Sequence, residues 1–538
     1  MRMNKKKLAL GLITGTLMGV AFTQASSAAI ESKVLSYAMQ NEPPQLNGMK
    51  ATDTDSFFIL GHIMEGLTRQ AKDGKVIPGV AEKWELNDKG ATFHLRKNAK
   101  WSDGKPVTAK DFVFAWRKTL EPSTASEYAF ILYPIKNAEA INSKKMPASS
   151  LGVTAVDDYT LKIVFEKPCG YFMSLTYFAT YFPVREDFYN TVGEKYGADA
   201  STMLYNGPFK LTKWAHQASL TLAKNENYWN KKDIALDSIE IPYITPDDSA
   251  RFNLFKDKKV DILTPIGKDA LPEAQKEGYK LKRFSDGSVF FLEFNFRDGR
   301  LTKNLNLRKA VQAVFTPGEY IDKVVSIPGT LAGKTLIPAW VTGKKDLFRK
   351  EYPYNPPKPS VAAAKKYMEA AMKELKLTTP PTLVWLTGDT PLAGREAEYF
   401  QSVFKNTLGI DIRIDKQTFK QRLEKMLSGD FDIVSAGWGP DYADPMTFAD
   451  LKASWNENNR GKYENPKYDE LIRKAQSTTN SKIRMDAMAA AEKIGLDDLA
   501  ILPLYERSVV YTTTDKVKGV VRRAAGFDPD FTFVQMSP

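Results

Sequence analysis

Arg395-Glu-Ala-Glu-Tyr-Phe-Gln-Ser-Val-Phe-Lys-Asn-Thr-Leu408 has a helical pattern, Gly409 supplies a stop, and Ile410-Asp-Ile-Arg-Ile414 then alternates apolar with charged residues. A period near 3.6 followed at once by a period of 2 describes a helix leading into a half-buried strand. That step is the unit from which α/β lobes are built. Upstream, residues 360–375 read as another helix. Ser360 is placed to cap it, and Ala364, Tyr367, Met368, Ala371 and Leu375 share one face after the proline-rich stretch 352–359. Downstream, residues 482–494 predict a long amphipathic helix closed by Gly495, and Thr160-Leu-Lys-Ile-Val-Phe165 predicts a strand. Strand and helix patterns alternate almost throughout, with no internal repeat and no clean linker, so the expected fold class is α/β. Residues 76–165 are richer in turns, such as Asp103-Gly104 and Asp157-Asp158, and are expected to form a separate mixed unit.

The chain has 538 residues and a mass of 60.4 kDa, with 43% hydrophobic and 26% charged residues, enough for a sizeable core and too balanced for disorder. One cysteine, Cys169, rules out an intrachain disulfide and a cysteine-ligated metal cluster. His62, His94 and His216 show no i, i+4 spacing and read as packing or surface residues rather than ligands or bases. The formal charge is +12, but positives interleave with acids, as in Lys256-Asp-Lys-Lys-Val-Asp261, the pattern of a solvated surface. With no arm, finger or basic helix motif, no nucleic-acid partner is expected.

The N-terminus has a basic start containing Lys5, Lys6 and Lys7, an apolar run over 8–22, and small residues over 23–29. This is the plan of a cleavable secretory signal over 1–29, with a run shorter than the ~20 residues of a membrane span. The exported chain is expected to begin near Ala29 or Ile30, without a lipid-anchor cysteine and with a charge of about +8.

No serine nucleophile elbow, phosphate loop or dinucleotide fingerprint is present. Asp53-Thr-Asp55 opens like a calcium loop but lacks its glycine and closing glutamate, and reads as surface carboxylates. Asp247-Asp248 does not by spacing identify two glycosidase acids. One segment differs: Ala436-Gly-Trp-Gly-Pro-Asp-Tyr-Ala-Asp-Pro445, after the strand-like Phe431-Asp-Ile-Val-Ser435, builds a rigid corner with Asp441 beside Trp438 and Tyr442. A carboxylate among aromatic faces suits a ligand cation. The pattern alone equally describes a turn in which Asp441 caps local backbone N–H groups, which is the simpler reading.

Five blocks in chain order resemble the peptide-binding branch of the extracellular solute-binding proteins that feed ABC importers, above all the periplasmic oligopeptide-binding proteins. They are Pro78-Gly-Val-Ala-Glu-Lys-Trp84 with Thr92-Phe-His-Leu-Arg-Lys-Asn-Ala-Lys-Trp-Ser-Asp-Gly-Lys-Pro-Val-Thr-Ala-Lys-Asp-Phe112, Asn206-Gly-Pro208, Tyr228-Trp229, Leu307-Arg-Lys-Ala310, and the corner Gly437-Trp-Gly-Pro-Asp-Tyr442. The resemblance implies a periplasmic binding protein-like α/β fold of two hinged lobes. Residues 30–61, 187–287 and 509–538 would form the main domain of the first lobe, 62–186 an inserted α+β domain, and 288–508 the second lobe. It implies a non-catalytic, monomeric periplasmic protein with no cofactor or metal. Such a protein captures extended oligopeptides through their backbones and delivers them to a membrane permease.

Carried over by position, the resemblance assigns Asp441 to the peptide α-ammonium, Trp438 and Tyr128 to its surroundings, and Gly437 and Gly439 to the strand that pairs with the ligand. Thr52 and Thr54 fall on the opposing edge. Two arginines that hold the ligand carboxylate in relatives fall here on Met426 and Ser435, and a cysteine pair falls on Ser288 and Gly439. The far end of the ligand is therefore left without an evident cation, although Arg422 and Lys425 are close in sequence. The competing expectations are the same fold holding an oligosaccharide or metal chelate, and a secreted hydrolase.

Overall fold

In the computed structural model, which describes residues 33–537, the helix-to-strand step has its expected form. The strands of the main sheet, in chain order, are β1 (Val34–Met39), β2 (Phe209–Ala215), β3 (Ser219–Lys224), β4 (Ser238–Ile244), β5 (Ile262–Leu263), β6 (Lys282–Phe294), β7 (Leu331–Ala332), β8 (Thr382–Thr387), β9 (Asp411–Lys416), β10 (Ile433–Trp438) and β11 (Ile501–Thr513). The helices that matter here are α1 (Thr54–Ile63), α2 (Val361–Leu375), α3 (Pro391–Leu408), α4 (Phe419–Ser428) and α5 (Ser481–Asp497). The leader expected over 1–29 lies outside the described residues.

Helix α3 starts four residues before its apolar pattern, because Thr390 Oγ1 accepts the Ala393 N–H at 3.2 Å and Pro391 occupies the first turn. Gly409, at φ 73°, ends it in the left-handed region and turns the chain into β9. Helix α2 is capped by Ser360 Oγ, which accepts from the Ala363 N–H at 3.2 Å, and buries Ala364, Met368 and Ala371. The expectation that Gly495 closes α5 is corrected. The helix continues to Asp497, and a Cβ on Gly495 would lie 3.1 Å from the Tyr468 ring, so this glycine serves close packing.

The strands lie in the order β9-β8-β10-β6-β11-β5-β1-β4-β3-β2, with β7 on β11, making eleven among the described residues. Parallel pairs (β8 with β9 and β10, β1 with β4 and β5) mix with antiparallel ones, giving a mixed α/β fold. The two thirteen-residue strands β6 and β11 span the middle. Their ends at Lys282 and Thr513 lie toward β5, and their ends at Phe294 and Ile501 lie toward β10. Their pairing slips between Ser285 and Val289, where Gly287 takes φ 77° and a Cβ would lie 2.2 Å from the Ala524 carbonyl oxygen.

A separate four-stranded antiparallel sheet orders Ala81–Asn87, Gly90–Leu95, Thr160–Val164 and Val153–Asp157, within the turn-rich stretch. Cys169 is buried beside it in sequence, and burial pushes its thiol up to about 12. His62 is buried, with Nδ1 2.7 Å from the Phe58 carbonyl and Nε2 accepting the Phe531 N–H at 3.0 Å; burial lowers its pKa. His94 and His216 face Glu85 and Glu42 near the surface. No described helix is long and apolar enough to cross a membrane.

Candidate ligand-binding site

Strand β10 begins at Ile433, two residues later than its sequence pattern, and runs on through Gly437 and Trp438 because β6 pairs with it as far as Trp438 opposite Val289. On its other edge β8 pairs only at Ile433 and Val434. From Ser435 onward that edge faces a cavity of about 330 Å³. The Ser435 carbonyl accepts from Arg422 Nη1 on this side at 3.0 Å. Strand alternation therefore turns the N–H and C=O of Gly437 the same way. A Cβ on Gly437 would meet the Phe290 ring at 2.7 Å, so the backbone is left bare. An edge of this kind is suited to adding an extended chain.

The cavity wall brings together Thr52, Thr54, Tyr128, Gly437, Trp438, Gly439 and Asp441. Past the Gly439-Pro440 corner, Asp441 is 7% exposed, and its carboxylate accepts the Tyr128 hydroxyl at 3.1 and 3.2 Å. The turn-capping alternative is not what forms: among the described residues the carboxylate accepts no local backbone N–H. Instead the Asp441 N–H donates to Thr447 Oγ1 at 3.2 Å, and Trp438 Nε1 donates to the same oxygen at 3.3 Å. Thr447 thus locks both residues, and its hydroxyl carried no distinctive signal in the sequence. Burial raises the Asp441 pKa well above the carboxylate range, against the Tyr128 hydrogen bond and with help from the charge of Asp450. Tyr128 stacks on Trp438 at 6.3 Å and 11°, and Phe57 of α1 meets it edge-on at 5.8 Å. These rings wall the carboxylate with apolar surface, and no Lys or Arg among the described residues pairs with it.

Asp53 corrects the surface-carboxylate reading. It is 5% exposed and caps α1, accepting the Ser56 N–H at 2.8 Å and the Ser56 hydroxyl at 2.7 Å. Burial, followed by the neighbouring charge of Asp55, raises it to about 7. Asp55 lines the cavity and accepts from Asn41 at 3.0 Å. A Cβ on Gly439 would lie 3.3 Å from Thr54 Cγ2 and 3.4 Å from Ser288 Oγ, so positions 288 and 439 are spatial neighbours.

Toward the other end, α4 presents Phe419, Arg422, Leu423 and Met426, an i, i+3, i+4, i+7 face, to the cavity. Ser435 lies opposite. Lys425 turns away from this face to pair with Asp415 and Asp430. Glu396 of α3 is buried, accepts from the Tyr320 hydroxyl, and is raised by its burial. Phe290 and Tyr505 stack at 4.7 Å to form an apolar wall. Sequence reading named Arg422 with Lys425 only as close in sequence, without placing either in the cavity, and missed Glu396, Phe290 and Tyr505. Only the apolar spacing around Arg422 hinted at its placement.

Fold and site define a solute-binding protein of the periplasmic α/β class. A family model described as bacterial extracellular solute-binding proteins, family 5 Middle, matches residues 75–460, and the chain belongs to that family. It is 32% identical over 529 residues to the dipeptide-binding protein DppE of Bacillus subtilis (strain 168), covering 97% of this chain and 96% of that one. It is also 32% identical over 512 residues to the oligopeptide-binding protein OppA of the same strain, covering 91% of each. The structure of Listeria monocytogenes OppA bound to peptide superposes with a TM-score of 0.88 at 33% identity, covering 94% of this chain and 100% of that one.

Proposed function

We propose that this protein is the substrate-binding subunit of a peptide ABC importer, in which Asp441 receives the α-ammonium of an extended peptide lying along β10. The observation that carries this reading is the junction, among the described residues, of an unpaired strand edge with a buried carboxylate that has no basic side chain of its own. The edge satisfies a peptide backbone irrespective of sequence, and the carboxylate fixes where the peptide starts. Trp438 and Tyr128 exclude water around that charge, Gly437 and Gly439 supply bare backbone, and Thr52 and Thr54 close the opposite side. The peptide-bound Listeria relative, together with the two Bacillus relatives named for peptides, supports the same substrate class.

The protein is read as a non-catalytic monomer, exported to the periplasm after loss of residues 1–29, that hands its ligand to a membrane permease. The lobes are assigned to 30–61, 187–287 and 509–538, with 62–186 inserted, and to 288–508. The register slip spans the 287/288 boundary on β6 and Arg507 on β11, next to the 508/509 boundary, which supports a hinge in this region. Contacts between 62–186 and 288–508 support a closed arrangement: Tyr128 with Asp441, Glu127 with Arg460 at 2.6 Å, and Tyr171 stacked on Tyr442 at 5.7 Å.

Mass spectrometry of small molecules released on denaturation should find short peptides of varied sequence. Calorimetry should then show that N-acetylating a bound peptide abolishes most of its affinity. A single sugar or chelate, or indifference to acetylation, would overturn the substrate class and the role of Asp441.

A further inference from the structure

Among the described residues four cationic side chains line the cavity, and three are already engaged. Arg395 pairs with Asp269 at 2.8 Å, Arg507 pairs with Asp286, and Lys268 donates to the Lys323 carbonyl at 2.7 Å. Arg422 differs. Among the described residues no carboxylate lies within ion-pair distance of it. Nη1 donates to the Ser435 carbonyl, while Nε is buried without a hydrogen-bond partner. The guanidinium is half-buried, on the cavity-facing side of α4, one helical turn before Met426 and against the β10 edge at Ser435. Burial lowers its pKa, while the charges of Glu396 and Asp389 pull it up. A withdrawn, persistently charged fork with donors to spare is suited to a carboxylate.

We propose that Arg422 anchors a ligand carboxylate at the end of the cavity opposite Asp441, taking the place left by the uncharged Met426 and Ser435. This rests on the peptide reading above and deepens it: the site selects a zwitterion of limited length. From Ser435 to Trp438 the strand advances three residues, or ~10 Å at ~3.3 Å each, before the corner that holds Asp441. A fully extended peptide of about three residues covers a similar distance, at ~3.3–3.6 Å per residue. The carboxylate belongs either to the C-terminus of such a peptide or to an acidic side chain near its end.

Calorimetry on the full exported chain separates these cases, using Ala-Ala-Ala, its C-terminal amide, Ala-Ala-Glu amide and N-acetyl-Ala-Ala-Ala against wild type, Arg422→Gln and Arg422→Lys. Amidation should cost wild type at least ~30-fold, the low end for breaking a desolvated charge pair, and cost Arg422→Gln less than about threefold. Arg422→Lys should retain part of the discrimination, and thermal melts check that both variants fold. If Ala-Ala-Glu amide recovers wild-type affinity but not that of Arg422→Gln, the anchor holds and the carboxylate is a side chain's. An amidation penalty undiminished in Arg422→Gln overturns the proposal, as does indifference of wild type to both carboxylates. N-acetylation tests Asp441 independently: if it still costs wild type most of its affinity, only the Arg422 inference fails. If no peptide binds, both readings fall.

Discussion

The two ends of the cavity are built in opposite ways. At one end Asp441 meets a hydroxyl 313 residues away in the chain, is walled by aromatic rings from distant segments, and is almost wholly buried. At the other, Arg422 touches a carbonyl 13 residues away, on a strand reached by one short turn, and stays half-buried with donors uncommitted. A charge sealed by separate segments is fixed in position only when those segments meet. A charge on one helix face moves with its own rotamers. On the reading proposed above, the first arrangement sets where a ligand begins, and the second sets how it ends and tolerates adjustment.

The sharpest way to break this contrast is Asp441→Asn, expected to cost ~3–5 kcal/mol of peptide binding, about a hundredfold or more, because the ligand ammonium would be left buried and unpaired. Calorimetry measures it, and circular dichroism should show an unchanged fold. Equal affinity for mutant and wild type would remove Asp441 from the site. Tyr128→Phe should cost less, ~1.5–3 kcal/mol for a hydrogen bond to a charged group, and its loss tests whether the distant segment is truly part of the anchor.

Acidity sharpens the comparison further. Burial raises the Asp441 pKa, and only the ionised carboxylate pairs with an ammonium, so binding expels a proton below that pKa. Affinity should therefore fall on acidification, by up to about tenfold per pH unit, and this slope should vanish in Asp441→Asn. The discrimination between a free and an amidated C-terminus, read well above the pKa of the ligand carboxyl, should stay constant, since an arginine does not titrate there.

Asp53 gives the smallest effect and a useful third case, a buried carboxylate already satisfied by its own helix. Its pKa is raised from 3.8 to about 7, so the folded state holds a proton that the unfolded state releases. Its contribution to stability is full below about pH 4 and is lost as pH rises through about 7. Asp53→Asn should flatten the change in melting temperature between those pH values, while affecting peptide binding far less than Asp441→Asn.

These contrasts mirror what was legible in the sequence. The run from Arg395 to Ile414 contains its own capping, periodicity and stop, so helix and strand could be read locally. Gly495 misled because a glycine that ends a helix and one that admits a neighbouring ring look alike until Tyr468 is in place. Asp53 misled for a related reason, since its burial comes from packing outside its own motif. The corner around Asp441 was visible as glycine, tryptophan and proline in close order. Arg422 and Lys425 were both close in sequence to the positions expected at the far end of the ligand, and only the folded position of α4 shows that Arg422 lines the cavity while Lys425 pairs with Asp415 and Asp430.

The long reach from Tyr128 to Asp441 has a consequence for inheritance. An exchange of genetic material that replaced only one of the segments carrying Tyr128 and Asp441 could separate the donor from its acceptor, so this contact is best passed on as a matched pair. The Arg422 end lies within a few dozen nucleotides of coding sequence. On the proposed reading, a single substitution there redraws which ligands are admitted while the starting point of every ligand stays where it was.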